Sequence, residues 1–431
     1  IQGSLKHERH NHEPFPFDVD AIDAVVLTHA HLDHSGRLPL LAKRGYHGPV
    51  YTHRASADLC RIMLEDSGYL NEKEVEWENR KRLRKGLELV EPLYTRQEAR
   101  AAHRQFRPVE YGHPETVLPG VELTLHDAGH ILGSAIASLD LTEGAQRRRV
   151  VFSGDLGHRG EPILRDPAVV EQADLVVMES TYGDRLHRPW QDTWEEMGDI
   201  ITSARGNILV PAFAVGRSQL LLHMFKRNFD AWNLGSRQIF LDSPLAIEAT
   251  EIYQRHARIY DRAAREFMAG GEGLFEMPNL HLTRRSEESM AINTIRSGAI
   301  IIAGSGMCTG GRIKHHFKHN IWRRDTHVMI VGFQAAGTPG RALVDGAKHI
   351  RLWGETVQVN AGIHTIGGLS AHADQRGLFR WYENFRNRPP VALVHGEPEA
   401  MDSLGDKLEF ELGSKVIRPV FSERLDLINM R

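Results

Sequence analysis

The segment His29-Ala30-His31-Leu32-Asp33-His34 places three imidazoles and one carboxylate within six residues. Imidazole and carboxylate donors at this density suit a divalent metal ion. A donor set without thiolate favours zinc and tolerates manganese. Side chains at alternate positions of an extended segment point the same way, so His29 and His31 can grip one ion. After a turn, Asp33 and His34 can face a second. Two ions need more donors than one loop supplies, and other strand ends are where a rigid scaffold collects them. His130 lies in Asp127-Ala128-Gly129-His130-Ile131-Leu132-Gly133-Ser134, and Asp155 in Ser153-Gly154-Asp155-Leu156-Gly157. His395 lies in Val394-His395-Gly396-Glu397. Taken singly each is weak, because a lone strand-end histidine more often satisfies a hydrogen bond than binds a metal.

The elements that must position these residues are short β-branched runs, each ending in a polar or glycine-rich turn. They include Ala24 to Leu27, Val150 to Phe152, Leu175 to Met178, Ile208 to Val210, Ile239 to Leu241, Ile300 to Ile302, Met329 to Val331 and Ala392 to Val394. Each is too short for a helix and apolar on both faces, which predicts strands buried between layers. Helical stretches such as Trp194 to Arg205 and Ser218 to Phe229 lie between them. The alternation predicts an α/β fold with helices outside the sheets.

The chain has 431 residues, enough for two or three domains at roughly 150 residues each. It carries 53 Lys+Arg against 56 Asp+Glu, so a globally basic coat is excluded and any nucleic-acid grip must come from local patches. Twenty-five histidines are unusually many and point to metal or acid–base chemistry. Only two cysteines, Cys60 and Cys308, are present, too few for a disulfide framework or a zinc ribbon. No apolar run reaches the length of roughly 18 residues that a membrane span needs. The first residues, Ile1 to Asp18, lack the features of a signal peptide, and a reduced, cytoplasmic setting is expected. From Glu72 to Lys85 acidic residues give way to basic ones, which predicts a solvated helix face laced with i,i+4 ion pairs, a rim contact for a polyanion being the alternative.

Taken together, HxHxDH, AGHxxGS, SGDLG and the distant VHGE resemble the metallo-β-lactamase superfamily. In particular the chain is similar to the β-CASP nucleases, the group of the polyadenylation endonuclease subunit, RNase J and bacterial and archaeal relatives. Glu179 in Glu179-Ser180-Thr181-Tyr182-Gly183-Asp184-Arg185 matches the acidic motif that opens the β-CASP region. His372 in Gly368-Leu369-Ser370-Ala371-His372-Ala373-Asp374 matches the second motif of that region, and His395 the third. Pro211 to Arg217, Leu241-Asp242-Ser243-Pro244 and Ala303 to Met307 also resemble the family. The resemblance implies an αββα sandwich with an inserted β-CASP α/β domain whose sheet is largely parallel. It implies residues 1–185 as the first part of the sandwich, 186–350 as the insertion, and 351–431 as the returning part with an RNA-metabolising motif. Family members open with a β-hairpin and an Asp in a D-C-G-type motif. Ile1-Gln2-Gly3 looks like the tail of that motif, so the hairpin and its Asp are expected to be absent from this chain.

Carried over residue by residue, the resemblance assigns His29, His31 and His130 to one zinc, Asp33, His34 and His395 to another, and Asp155 to both. It implies a zinc-dependent ribonuclease that cleaves single-stranded RNA, as endonuclease, 5′-3′ exonuclease or both, through a hydroxide held between the ions. His372 is the expected general acid, oriented by Glu179, and Asp33 is counted with them as catalytic. Ser305, Gly306, Arg312, Lys314 and His316 read as a glycine turn opening into a basic helix, either a phosphate contact or a solvated basic face. His315 and His319, at i,i+4, offer a weaker alternative as a further metal pair. RNA is the expected partner, no membrane is, and a homodimer or an RNA-processing complex is the assembly the resemblance allows. The alternatives are a DNA nuclease of the Artemis type, a small-substrate hydrolase and an inactive scaffold subunit. Artemis-type enzymes carry Val where this chain has His395, and small-substrate members lack the insertion that begins after Arg185.

Overall fold

The computed structural model describes residues 9–428, which fold as two compact units. Residues 9–186 and 372–428 form the first, and 187–371 the second. Ile1-Gln2-Gly3, expected as a motif tail, lies outside the described residues.

The first unit contains two sheets. The smaller is parallel and consists of Val25–Val26, Val50–His53 and Phe106–Val109. The larger has seven strands in the order Val416–Ile417, Val391–Val394, Leu175–Glu179, Gln146–Phe152, Ala135–Glu143, Val121–Asp127 and Glu115–Leu118. Its first four strands run parallel, and the remaining pairs are antiparallel. Leu123, Leu125, Ala135 and Ala137 pack inward against Val109, with partly buried Val26 and Tyr51 from the small sheet. Ile136 and Val151 point the opposite way, as the period of two requires, and join Val176 and Met178. There they meet Leu378, Trp381 and Tyr382 of the helix Gln375–Glu383 and Leu404 and Leu408 of Pro398–Leu412. The long helix Arg54–Arg84 covers the small sheet, completing the αββα order. Its second half is solvated, with Glu76–Arg80 and Glu78–Arg82 paired at i,i+4. Exposed pairs of this kind, screened by solvent, contribute little to stability.

The second unit is built on a six-stranded, wholly parallel sheet. Its order is Leu280–Leu282, Gln238–Leu241, Ala299–Ala303, Ile208–Pro211, His327–Ile330 and Gly362–Thr365. Ala299–Ala303 is buried at every position, which its unbroken Ile run permits between two helical layers. The helices Trp190–Ser203 and Arg217–Arg227 start and stop within four residues of the expected stretches. One boundary differs from the expectation. Gly362–Thr365 pairs in parallel with His327–Ile330, so the chain leaves this unit after Ala371 rather than near residue 350.

Candidate metal centre

Strand Val25–Val26 continues as an extended segment, with Leu27 N–H donating to Tyr51 O at 2.8 Å, and delivers His29 fully buried. The single helical turn Leu32–Ser35 then reverses the chain. Ser35 Oγ donates to Ala30 O at 2.9 Å and fixes the bend. His29 Nε2 and His31 Nδ1 meet at 3.1 Å, and His130 Nε2 also lies 3.1 Å from His31 Nδ1. His130 is held in its loop by Ser134, whose Oγ accepts from the His130 N–H at 3.0 Å. Asp155 follows the strand Gln146–Phe152 and is 2% exposed. Its Oδ2 lies 3.4 Å from His29 Nε2, 3.6 Å from His130 Nε2 and 3.3 Å from His34 Nε2. Its Oδ1 lies 3.6 Å from His395 Nδ1. Asp33 Oδ2 stands 3.7 Å from His395 Nε2 and 3.9 Å from His34 Nε2. All seven expected donors therefore converge as two adjoining clusters, with Asp155 beside both.

The clusters fit metal ions. Donors 2.0–2.1 Å from a tetrahedral zinc stand roughly 3.3 Å from one another, and the spacings here are 3.1 to 3.6 Å around His31 and Asp155. His34 Nε2 and Asp155 Oδ1 are buried without a hydrogen-bond partner, a costly arrangement unless something else satisfies them. Burial pushes His29, His31 and His130 below the ordinary imidazole range, which leaves their lone pairs free at neutral pH. Burial works against ionisation of Asp33 and Asp155, but the surrounding histidines outweigh it and hold both below the usual carboxylate range. Both thiols lie away from these donors, and burial raises each.

His372 lies outside these two clusters and forms a third close group of donors with Asp155 and Glu179. Its Nδ1 lies 3.1 and 3.2 Å from the two oxygens of Glu179, and its Nε2 lies 4.0 Å from Asp155 Oδ2. Burial alone would lower this imidazole, but Glu179 and Asp155 lift it to about 9. A bound dication would act in the opposite direction. Glu179 has a second task, because its Oε1 accepts the Leu156 N–H at 2.6 Å and so secures the turn carrying Asp155.

The five residues expected to meet phosphates lie in the other unit and separate into two groups. His316 is fully buried, with Nε2 2.6 Å from Asp242 Oδ2 and Nδ1 3.0 Å from Asn293 Oδ1. Arg312 donates to Asp242 Oδ1 at 2.7 Å and to Thr283 O at 2.9 Å. Arg312 neutralises the buried Asp242 carboxylate and His316 is hydrogen-bonded to it, so both side chains are engaged inside the unit, which departs from the expectation that they face a ligand. Lys314 Nζ lies 4.8 Å from the centre of the Trp353 ring, and Ser305 Oγ accepts the Gly310 N–H at 3.1 Å. Gly306 is buried against Phe213. His315 packs on Trp353 with ring centres 4.4 Å apart, and no metal cluster among the described residues includes His315 or His319. The expectations named no role for Asp242 or Ser134, although both sit inside motifs quoted for the resemblance.

Comparison with known proteins accords with this geometry. Residues 3–212 match the Beta-lactamase superfamily domain, 218–343 the Beta-Casp domain, and 356–419 the Zn-dependent metallo-hydrolase RNA specificity domain. The chain is 37% identical over 421 residues to Ribonuclease TTHA0252 of Thermus thermophilus, covering 97% of this chain and 91% of that protein. It is 32% identical over 427 residues to Transcription termination factor FttA of Pyrococcus abyssi, covering 95% of this chain but 62% of that protein. For the FttA of Thermococcus kodakarensis the identity is 31%, with coverage of 97% and 63%. The chain thus belongs to the β-CASP ribonuclease family of the metallo-β-lactamase superfamily.

Proposed function

We propose that this chain is a zinc-dependent ribonuclease that hydrolyses phosphodiester bonds of single-stranded RNA. The observation that carries the proposal is the pair of adjoining donor clusters around Asp155, with the His372–Glu179 pair alongside. His29, His31 and His130 would hold one zinc and Asp33, His34 and His395 the other, with Asp155 serving both. Bound there, the ions would supply an activated water and positive charge for the phosphoryl transition state.

The chain's own residues supply the rest. Nδ1 of His372 faces the Glu179 carboxylate, so the transferable proton sits on Nε2, the nitrogen turned toward Asp155. From there it can pass to the departing ribose oxygen, which is general acid catalysis. Glu179 fixes the ring's orientation and favours its protonated form. Ser305, Gly306 and Lys314 are proposed to meet the RNA backbone, and Arg312 and His316 are not. Among the described residues no helix is long and apolar enough to cross a membrane, and a reduced, cytoplasmic setting is proposed for the two free thiols.

RNA labelled at its 5′ or 3′ end, incubated with the protein with and without chelator, tests the reading. Zinc-dependent product ladders are expected, and their pattern separates internal cleavage from 5′-3′ digestion. Equal cleavage of single-stranded DNA would favour the Artemis-type alternative. Intact RNA in every lane would favour a scaffold subunit.

A further inference from the structure

The segment Glu179-Ser180-Thr181 is stitched to the segment carrying His395 by two hydroxyl groups. Strand Leu175–Glu179 pairs in parallel with Val391–Val394, Glu179 opposite Val394. Beyond the last pair the backbone ladder stops and side chains take over. Ser180 Oγ donates to Val394 O at 2.8 Å, and Thr181 Oγ1 donates to His395 O at 2.9 Å. His395 has φ of 56°, in the left-handed region that side-chain-bearing residues adopt only at a cost of order 1 kcal/mol or more. Gly396 follows, where a Cβ would come within 2.5 Å of Ser180 Oγ. The two strand ends are therefore pressed together at the point where His395 turns.

The same Thr181 oxygen lies 3.1 Å from His395 Nδ1. A hydroxyl has one proton, and that of Thr181 is given to the His395 carbonyl. Toward the ring it can then only accept, so the proton of the bond must be on Nδ1. Asp155 Oδ1, 3.6 Å from Nδ1, and Asp33 Oδ2, 3.7 Å from Nε2, are both beyond hydrogen-bond length and do not compete on equal terms.

We infer that Thr181 is a positioning residue that holds His395 as its Nδ1–H tautomer, leaving the Nε2 lone pair for the ion shared with Asp33 and His34. This rests on the two-ion reading proposed above. A partner that fixes the tautomer of a metal-binding histidine typically matters 10–100-fold in metal affinity. Thr181 does so with the atom that also clamps the strained backbone, so one hydroxyl sets both the ring's protonation pattern and its direction.

The test is zinc titration of the full, metal-stripped chain against a chromophoric chelator, with His395→Ala marking which of two sites involves His395. Thr181→Val, which keeps the shape and removes the hydroxyl, should weaken that site by about 10–100-fold and leave the other unchanged. Thr181→Ser should bind within a few-fold of the wild type. Two unaltered affinities in Thr181→Val overturn the assignment while leaving the two-ion reading intact. A wild type that takes up fewer than two ions overturns both. Nitrogen-15 spectra of the zinc-loaded wild type give a readout independent of any variant's folding. Zinc on Nε2 with a proton on Nδ1 is expected, and the reverse pattern overturns the assignment.

Discussion

Gly157 and His372 form an isolated antiparallel bridge, and it is this pairing that brings the chain returning from the second unit onto the turn carrying Asp155. Ala373 N–H donates to Leu156 O at 2.7 Å beside it. A Cβ at position 157 would lie 1.8 Å from Gly129 O, next to His130. Three motifs far apart in sequence thus touch at one residue that tolerates no side chain.

Gly157→Ala should therefore be costly. The Gly129 carbonyl has no flexible end that can move aside, so overpacking of about 1–3 kcal/mol is expected. Urea unfolding should show the loss. RNA cleavage should fall further than stability does, because His130 and His372 both shift.

Because the donors form two clusters around Asp155, elemental analysis of the purified chain should find close to two zinc ions. His31→Ala should lose metal and activity together, since His31 Nδ1 is 3.1 Å from two other donors. A wild-type stoichiometry near one would count against the two-ion reading.

His372→Ala should keep both ions and near-normal RNA affinity while slowing cleavage by roughly 10²–10⁴-fold, the usual contribution of general acid–base catalysis. The defect should shrink with a nitrophenyl phosphodiester, whose leaving group needs no proton. Glu179→Gln should show the same pattern with an added loss of metal. An amide has one accepting oxygen, and the carboxylate serves both His372 and the Leu156 N–H. Loss of zinc in His372→Ala would instead make that residue a ligand or a structural element.

Asp242 offers a pH test remote from the metal centre. Burial opposes its ionisation, but bonds to His316, Ser289 and Thr283 bring its carboxyl down to about 2. A folded value below the unfolded one contributes stability that is complete above about pH 4 and is lost as pH falls toward about 2. Asp242→Ala should cost about 3–5 kcal/mol at pH 7, because Arg312 is left without its counter-charge and the buried His316 without its hydrogen-bond partner. Unfolding midpoints of wild type and variant should draw together as pH falls toward about 2. A gap that stays constant with pH would remove the carboxylate's charge from the account.

What could be read from the sequence was local or periodic. The β-branched runs are strands because their side chains suit buried sheets, and His29 to His34 read as a donor cluster because alternation and one turn dictate it. The antiparallel strands Glu115–Leu118 and Ala135–Glu143 carry no continuous apolar run to mark them, because polar residues interrupt both and the second strand is buried only over its first half. The fate of Arg312 and His316 was likewise hidden. A basic residue beside a glycine turn reads alike whether it faces solvent or a buried carboxylate, and only folding brought Asp242, about seventy positions earlier, beneath them. The strand Gly362–Thr365 lies past the expected boundary near residue 350 yet pairs within the second unit, because pairing partners are chosen by tertiary contact, not by composition. The donor types at His130, Asp155, Glu179, His372 and His395 belong to the sequence. Their convergence within a few ångströms belongs to strand order in the large sheet, which sets Val151, Val176 and Val391 side by side and so aligns the ends where these side chains begin.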